Sequence, residues 1–156
     1  MVNTIKLDIF NIIEYDDYQY FIEPSEYYYQ KYSDELINEI CPKYSYGNQN
    51  KICFCRIYPD ESGALHISHF NNYVRNYFVQ NKKLIEYNRS IYKGLGIYML
   101  KNILEKYKDK ENTKIILDMV DTRNKNLVKF YENLSFVLYD EDNFYSNIKD
   151  VLVKIT

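Results

Sequence analysis

Two of the chain's four glycines stand together in Lys93-Gly94-Leu95-Gly96. A Gly-x-Gly turn between a strand and a helix lets backbone N–H groups close on a phosphate, and the positive end of the helix dipole favours the negative charge. A tight turn that serves only packing is the alternative. A second constellation runs from Asn124 through Leu127, Phe130 and Tyr131 to Ser135-Phe136. Candidate proton carriers are Glu86, shortly before the glycine turn, and the chain's two histidines, His66 and His69. A lone Glu or His is more often a solvated or structural residue, so a water relay competes with each of them as a base. Cys41, Cys53 and Cys55 are the only cysteines. A two-residue step along a strand puts Cys53 and Cys55 on one face, and buried free thiols fit them best. His66 and His69 do not complete a zinc pattern with them, so no metal site is expected.

The elements that must position these residues follow from periodicity. Residues 4–12 alternate Ile5, Leu7 and Ile9 with polar neighbours, which predicts a half-buried strand. Over residues 25–40, Tyr28, Tyr32, Leu36, Ile37 and Ile40 recur at helical spacing, with Ser25 placed as a cap and Pro42 as a stop. Residues 51–58 and 64–70 are β-prone and flank Pro59-Asp60-Glu61-Ser62-Gly63, so an antiparallel hairpin is expected. Residues 71–81 fit neither period and read as a loop or strand extension. A short strand at 83–87 then leads through the glycine turn into a helix striped by Leu95, Met99, Leu100, Ile103, Leu104 and Tyr107. A strand at 114–120, a helix at 124–134 and strands at 136–139 and 150–155 complete the order, the last on the alternation of Val151, Val153 and Ile155. The expectation is one α/β domain over residues 1–156, a mixed sheet of about seven strands flanked by helices.

Composition narrows the function classes. The 156 residues carry 20 Lys plus Arg against 22 Asp plus Glu, so the chain lacks the basic excess that binding to a phosphate backbone needs. Its 19 Tyr and 8 Phe are spread along the whole chain and do not alternate with a basic stripe; AT-rich codon bias explains them more simply than a base-stacking surface does. The apolar runs at 115–117 and 151–153 are far too short to span a bilayer. The first residues lack the apolar core of a signal peptide, so a cytoplasmic location is expected.

With both constellations in view, the chain resembles the GCN5-related N-acetyltransferase (GNAT) superfamily. Asn124, Leu127, Phe130, Tyr131 and Phe136 fall on the places of that family's closing segment. Gly94 and Gly96 match the second half of its coenzyme loop, Gln/Arg-x-x-Gly-x-Gly/Ala, which lies between the fourth strand and the long helix. The predicted element order also agrees with the family's fold. Setting Ile91 at the Gln/Arg position keeps both glycines and puts Met99 and Leu100 on the helix's apolar pair; setting Lys93 there would put Tyr98 where Gly or Ala is expected. In the first register one side-chain contact to pyrophosphate is missing, while main-chain donors from Tyr92 to Ile97 remain and Lys93 can add charge. Ser135 stands where the family has Gly, at a left-handed position that costs a Cβ-bearing residue on the order of 1 kcal/mol.

The resemblance implies an acyl-CoA N-acyltransferase architecture and transfer of an acetyl group from acetyl-CoA to a primary amine. The amine must be neutral, the oxyanion stabilised and the leaving thiolate protonated. Tyr131 takes the family's general-acid place and Glu86 is the first candidate base. Tyr92, Lys93, Gly94, Leu95, Gly96, Ile97, Asn124, Phe130 and Tyr131 are the expected coenzyme contacts. The partner is a small-molecule or peptide amine, with Asp16-Asp17 and Asp140-Glu141-Asp142 available to attract a cation. Neither nucleic acid nor membrane is expected, and a homodimer is left open. The competing reading is a weakly active or inactive GNAT-fold protein that serves as a CoA-binding or protein-interaction module; transfer of a longer acyl group is a third.

Overall fold

The computed structural model describes residues 9–31, 52–72, 94–110 and 112–155. Among them, seven strands and four α-helices follow one another as β1 (Phe10–Asp16), β2 (Gln19–Pro24), α1 (Glu26–Lys31), β3 (Cys53–Pro59), β4 (Leu65–Asn72), α2 (Leu95–Glu105), β5 (Lys114–Leu117), α3 (Lys125–Asn133), β6 (Val137–Leu138), β7 (Phe144–Asn147) and α4 (Ile148–Ile155). The strands form one mixed sheet in the order β1-β2-β3-β4-β5-β7-β6. By compactness the chain divides into two units, Val2–Cys55 with Phe70–Met99, and Arg56–His69 with Leu100–Thr156. Among the described residues no helix is long and apolar enough to cross a membrane.

In the first unit, β1 and β2 form an antiparallel hairpin with Phe10 opposite Pro24 and Ile13 opposite Phe21. Its turn has neither Gly nor Pro. Instead Asp16 Oδ1 accepts hydrogen bonds from the amides of Tyr18 and Gln19, and Oδ2 accepts from Gln19 Nε2, so a side chain supplies the turn geometry. Of the strand expected at 4–12, residues 4–8 lie outside the described residues; Ile9 is helical, β1 runs from Phe10 to Asp16, and its partner Gln19–Pro24 is absent from the sequence-based expectation. Ser25 does cap α1, its Oγ accepting from the Tyr28 amide at 3.3 Å. Tyr28 is buried with its ring 6.0 Å from that of Phe10. Phe21 stacks on Phe54 at 5.0 Å.

In the second unit, the turn between β3 and β4 is closed by the Asp60 amide donating to the Ala64 carbonyl, with Gly63 at φ 86°. A connection this short cannot cross over, so the two neighbouring strands are antiparallel, as expected. Leu65, His66 and Ile67 of β4 then pair in parallel with Ile115, Ile116 and Leu117 of β5. The Asp118 amide still donates to the Ile67 carbonyl, after which the chain leaves the ladder through Met119, while β4 runs on to Asn72. Met119 sits at φ 56° with its side chain almost fully exposed, held by its amide donating to Asn143 Oδ1.

The end of the chain corrects two expectations. Residues 148–155 form α4 rather than a strand. Asn147 Oδ1 accepts from the Asp150 amide and Asn147 Nδ2 donates to the Asp150 carboxylate, a reciprocal cap that starts a helix. Ile148, Val151 and Ile155 are then buried at helical spacing, whereas Val153, on the strand alternation, is 64% exposed. The strand predicted at 136–139 pairs with β7, which the sequence does not announce and which is antiparallel to both β6 and β5.

Candidate functional site

Gly94 and Gly96 do different jobs. Gly94 has φ 76°, and a Cβ built there meets nothing within 4 Å. Gly96 has an ordinary φ, but its Cβ would lie 3.3 Å from the Phe70 ring, so the absent side chain serves helix packing. The Tyr98 amide donates to the Gly94 carbonyl at 2.9 Å, the first helical bond. The amides of Leu95, Gly96 and Ile97 fall in the opening turn of α2, whose amides have no intrahelical partner and which has no acidic side chain to repel an anion. Tyr98, Met99 and Leu100 are all buried, and desolvation raises the Tyr98 hydroxyl pKa. Glu86, Ile91, Tyr92, Lys93 and the strand expected at 83–87 lie outside the described residues.

The other expected contacts belong to the second unit. Asn124 is the N-cap of α3, its Oδ1 accepting from the Leu127 amide at 3.1 Å. Tyr131 is the helix's buried residue, 6% exposed, with its ring 5.4 Å from Phe130, 5.9 Å from Phe136 and 6.4 Å from Phe144. Phe130 beside it is half-buried. Ser135 adopts the left-handed conformation at φ 75°. Of the candidate acids, Asp16 is committed to its turn and Asp140 accepts from the Glu141 amide.

Neither histidine is an open base. His66 places Nε2 2.7 Å from Asp60 Oδ2 and Nδ1 3.0 Å from Asp118 Oδ2, and its ring stacks on Tyr58 at 5.4 Å. Burial opposes its charge, but hydrogen bonds and attraction from the two aspartates outweigh that, and its pKa is raised. Asp60 is pulled down to about 2, first by its bond from Ser62 Oγ and then by His66. His69 is exposed, its Nδ1 3.2 Å from Ser68 Oγ. Nothing in the spacing of Asp60, His66 and Asp118 announced their cluster, because a parallel strand register brings the third of them in. The two ring nitrogens point away from each other, so the three side chains share no point for a cation, and among the described residues no other such group exists. Cys53 and Cys55 are buried thiols outside any disulfide, and burial pushes the Cys55 thiol up.

Comparison with known proteins finds no family model, no curated protein and no solved structure that matches this chain.

Proposed function

We propose that the chain is an acetyl-CoA-dependent N-acetyltransferase of the GNAT architecture, acting on a primary amine of a small molecule or peptide. The observation that carries this reading is the opening turn of α2, whose amides lack intrahelical partners and which holds no acidic side chain, because the resemblance assigns the coenzyme's pyrophosphate to the Gly94–Gly96 turn. Supporting it are the open Gly94 at the mouth of α2 and the capped α3 that carries Tyr131.

Bound acetyl-CoA supplies a thioester whose acyl carbon takes the amine nitrogen. The opening turn of α2 binds pyrophosphate oxygens through the amides of Leu95, Gly96 and Ile97, with Tyr92 and Lys93 before it. The Tyr131 hydroxyl gives its proton to the departing thiolate sulfur, and Glu86 or a water takes the proton that the amine loses. Asn124 holds the start of α3, and Phe130 and Phe136 hold the Tyr131 ring.

A second reading, a CoA-binding or protein-interaction module without turnover, draws on the burial of Tyr131 among aromatic rings. Calorimetry with acetyl-CoA, compared with free CoA, tests both. Micromolar binding followed by thiol release with an amine supports the enzyme. Binding without release across an amine panel supports the module, and no binding removes both coenzyme readings.

A further inference from the structure

The Asp60–His66–Asp118 cluster lies outside the proposed coenzyme contacts and joins two corners of the second unit. Asp60 opens the β3–β4 turn and organises it, Oδ1 accepting from the amides of Ser62 and Ala64 and from Ser62 Oγ. Asp118 is the last residue of the β5 exit still bonded to β4. His66 spans the two, with its side chain 18% exposed. The groups that face it are Asp60 from the turn, Asp118 from the end of β5 and the Tyr58 ring from β3, and the Arg56 guanidinium lies 5.4 Å from the centre of that same ring. Lys114 of β5 lines a cavity of about 310 Å³ together with Asp60, Ser62 and Thr113.

A neutral imidazole has one N–H. Set between two carboxylates at 2.7 and 3.0 Å, it would turn a bare nitrogen lone pair toward one of them. Only the imidazolium donates to both. We propose that His66, as an imidazolium, is a pH-sensitive latch that fastens the β3–β4 turn to the point where β5 leaves β4, and that this corner loosens when the ring gives up its proton. Because the folded pKa of His66 lies above the ordinary 6.5, the latch contributes fully below 6.5 and is lost as pH rises through the folded value. Asp60 acts in the opposite sense, contributing above 3.8 and failing as pH falls through about 2. The latch is therefore closed in mildly acidic solution and opens as pH rises through the raised pKa of the folded ring.

The experiment is NMR on the full chain with nitrogen-15-labelled histidine, together with amide exchange, across the neutral range. The expected result is a His66 ring protonated on both nitrogens at pH 6, with a midpoint above 6.5. Asp60→Asn and Asp118→Asn should each lower that midpoint. The protection factor of the Ala64 amide should fall by up to about tenfold per pH unit between 6.5 and the His66 midpoint and then level off. His66→Gln should abolish this slope. A His66 midpoint at or below 6.5, a single neutral tautomer at pH 6, or flat Ala64 protection in the unmodified chain each overturns the latch, whether or not His66→Gln folds.

Discussion

Ser135 and Ser146 hold their hydroxyl oxygens 2.7 Å apart, and Ser135 reaches that bond from a left-handed backbone at φ 75°. Ser146 is buried in β7, so the pair ties the end of α3 to the sheet. Ser135→Gly relieves a strain on the order of 1 kcal/mol and loses a hydrogen bond of similar size, leaving stability close to that of the parent chain. Ser135→Ala keeps the strain and loses the bond, so it should be less stable than the Gly variant by about 1 kcal/mol. Urea unfolding of the three proteins checks this ordering, and equal midpoints for Ala and Gly would contradict it.

The division of labour between the two glycines predicts different phenotypes. Gly94→Val adds a side chain in open space at positive φ, so it should abolish acetyl-CoA binding while the cost to folding stays on the order of 1 kcal/mol. Gly96→Ala presses on Phe70 and should lower stability first; Phe70→Leu should restore it. Calorimetry and thermal unfolding on each variant separate the two. Unaltered affinity in Gly94→Val would remove the phosphate-loop assignment.

Tyr131→Phe keeps the ring in its aromatic cluster and removes the proposed proton donor. On the proposed function, turnover should fall on the order of a hundredfold or more, with acetyl-CoA affinity little changed. Steady-state rates alongside calorimetry provide the measurement, and a rate equal to that of the unmodified protein would assign the ring to packing alone.

The helical end of the chain makes Val151 and Val153 unequal. Val151→Ala should cost about 2 kcal/mol through lost burial and the cavity left behind, whereas Val153→Ala should stay within about 0.5 kcal/mol. Comparable losses at both sites would favour the strand alternation instead.

Legibility in the sequence tracked how local each signal was. The helix at 124–134, the α2 stripe and the Pro59–Gly63 turn could all be read because their signals lie within a few residues. The β1–β2 hairpin escaped because Asp16 makes the turn with a side chain where Gly or Pro would have announced it. α4 was misread because Val151, Val153 and Ile155 satisfy a period of two over a stretch too short to exclude 3.6, while the deciding cap, Asn147 with Asp150, is polar and carries no period. His66 was weighed as a base because its carboxylate partner Asp118 becomes visible only once the parallel register is known. The glycine turn was legible as a motif, and its two glycines became distinguishable only through Phe70.

The parallel pairing of Leu65 with Ile115 also governs the order of assembly. The β3–β4 hairpin and the β6–β7 hairpin close over short stretches and can form early, but β4 must wait for the chain through α2 before β5 exists to cover its edge. During synthesis that edge is exposed until Leu117 has left the ribosome, and the sheet is not complete until β7 has inserted between β5 and β6. The slow step in folding should therefore be the docking of β5, and the species that aggregates should be a chain in which β4 has found the edge of another molecule first.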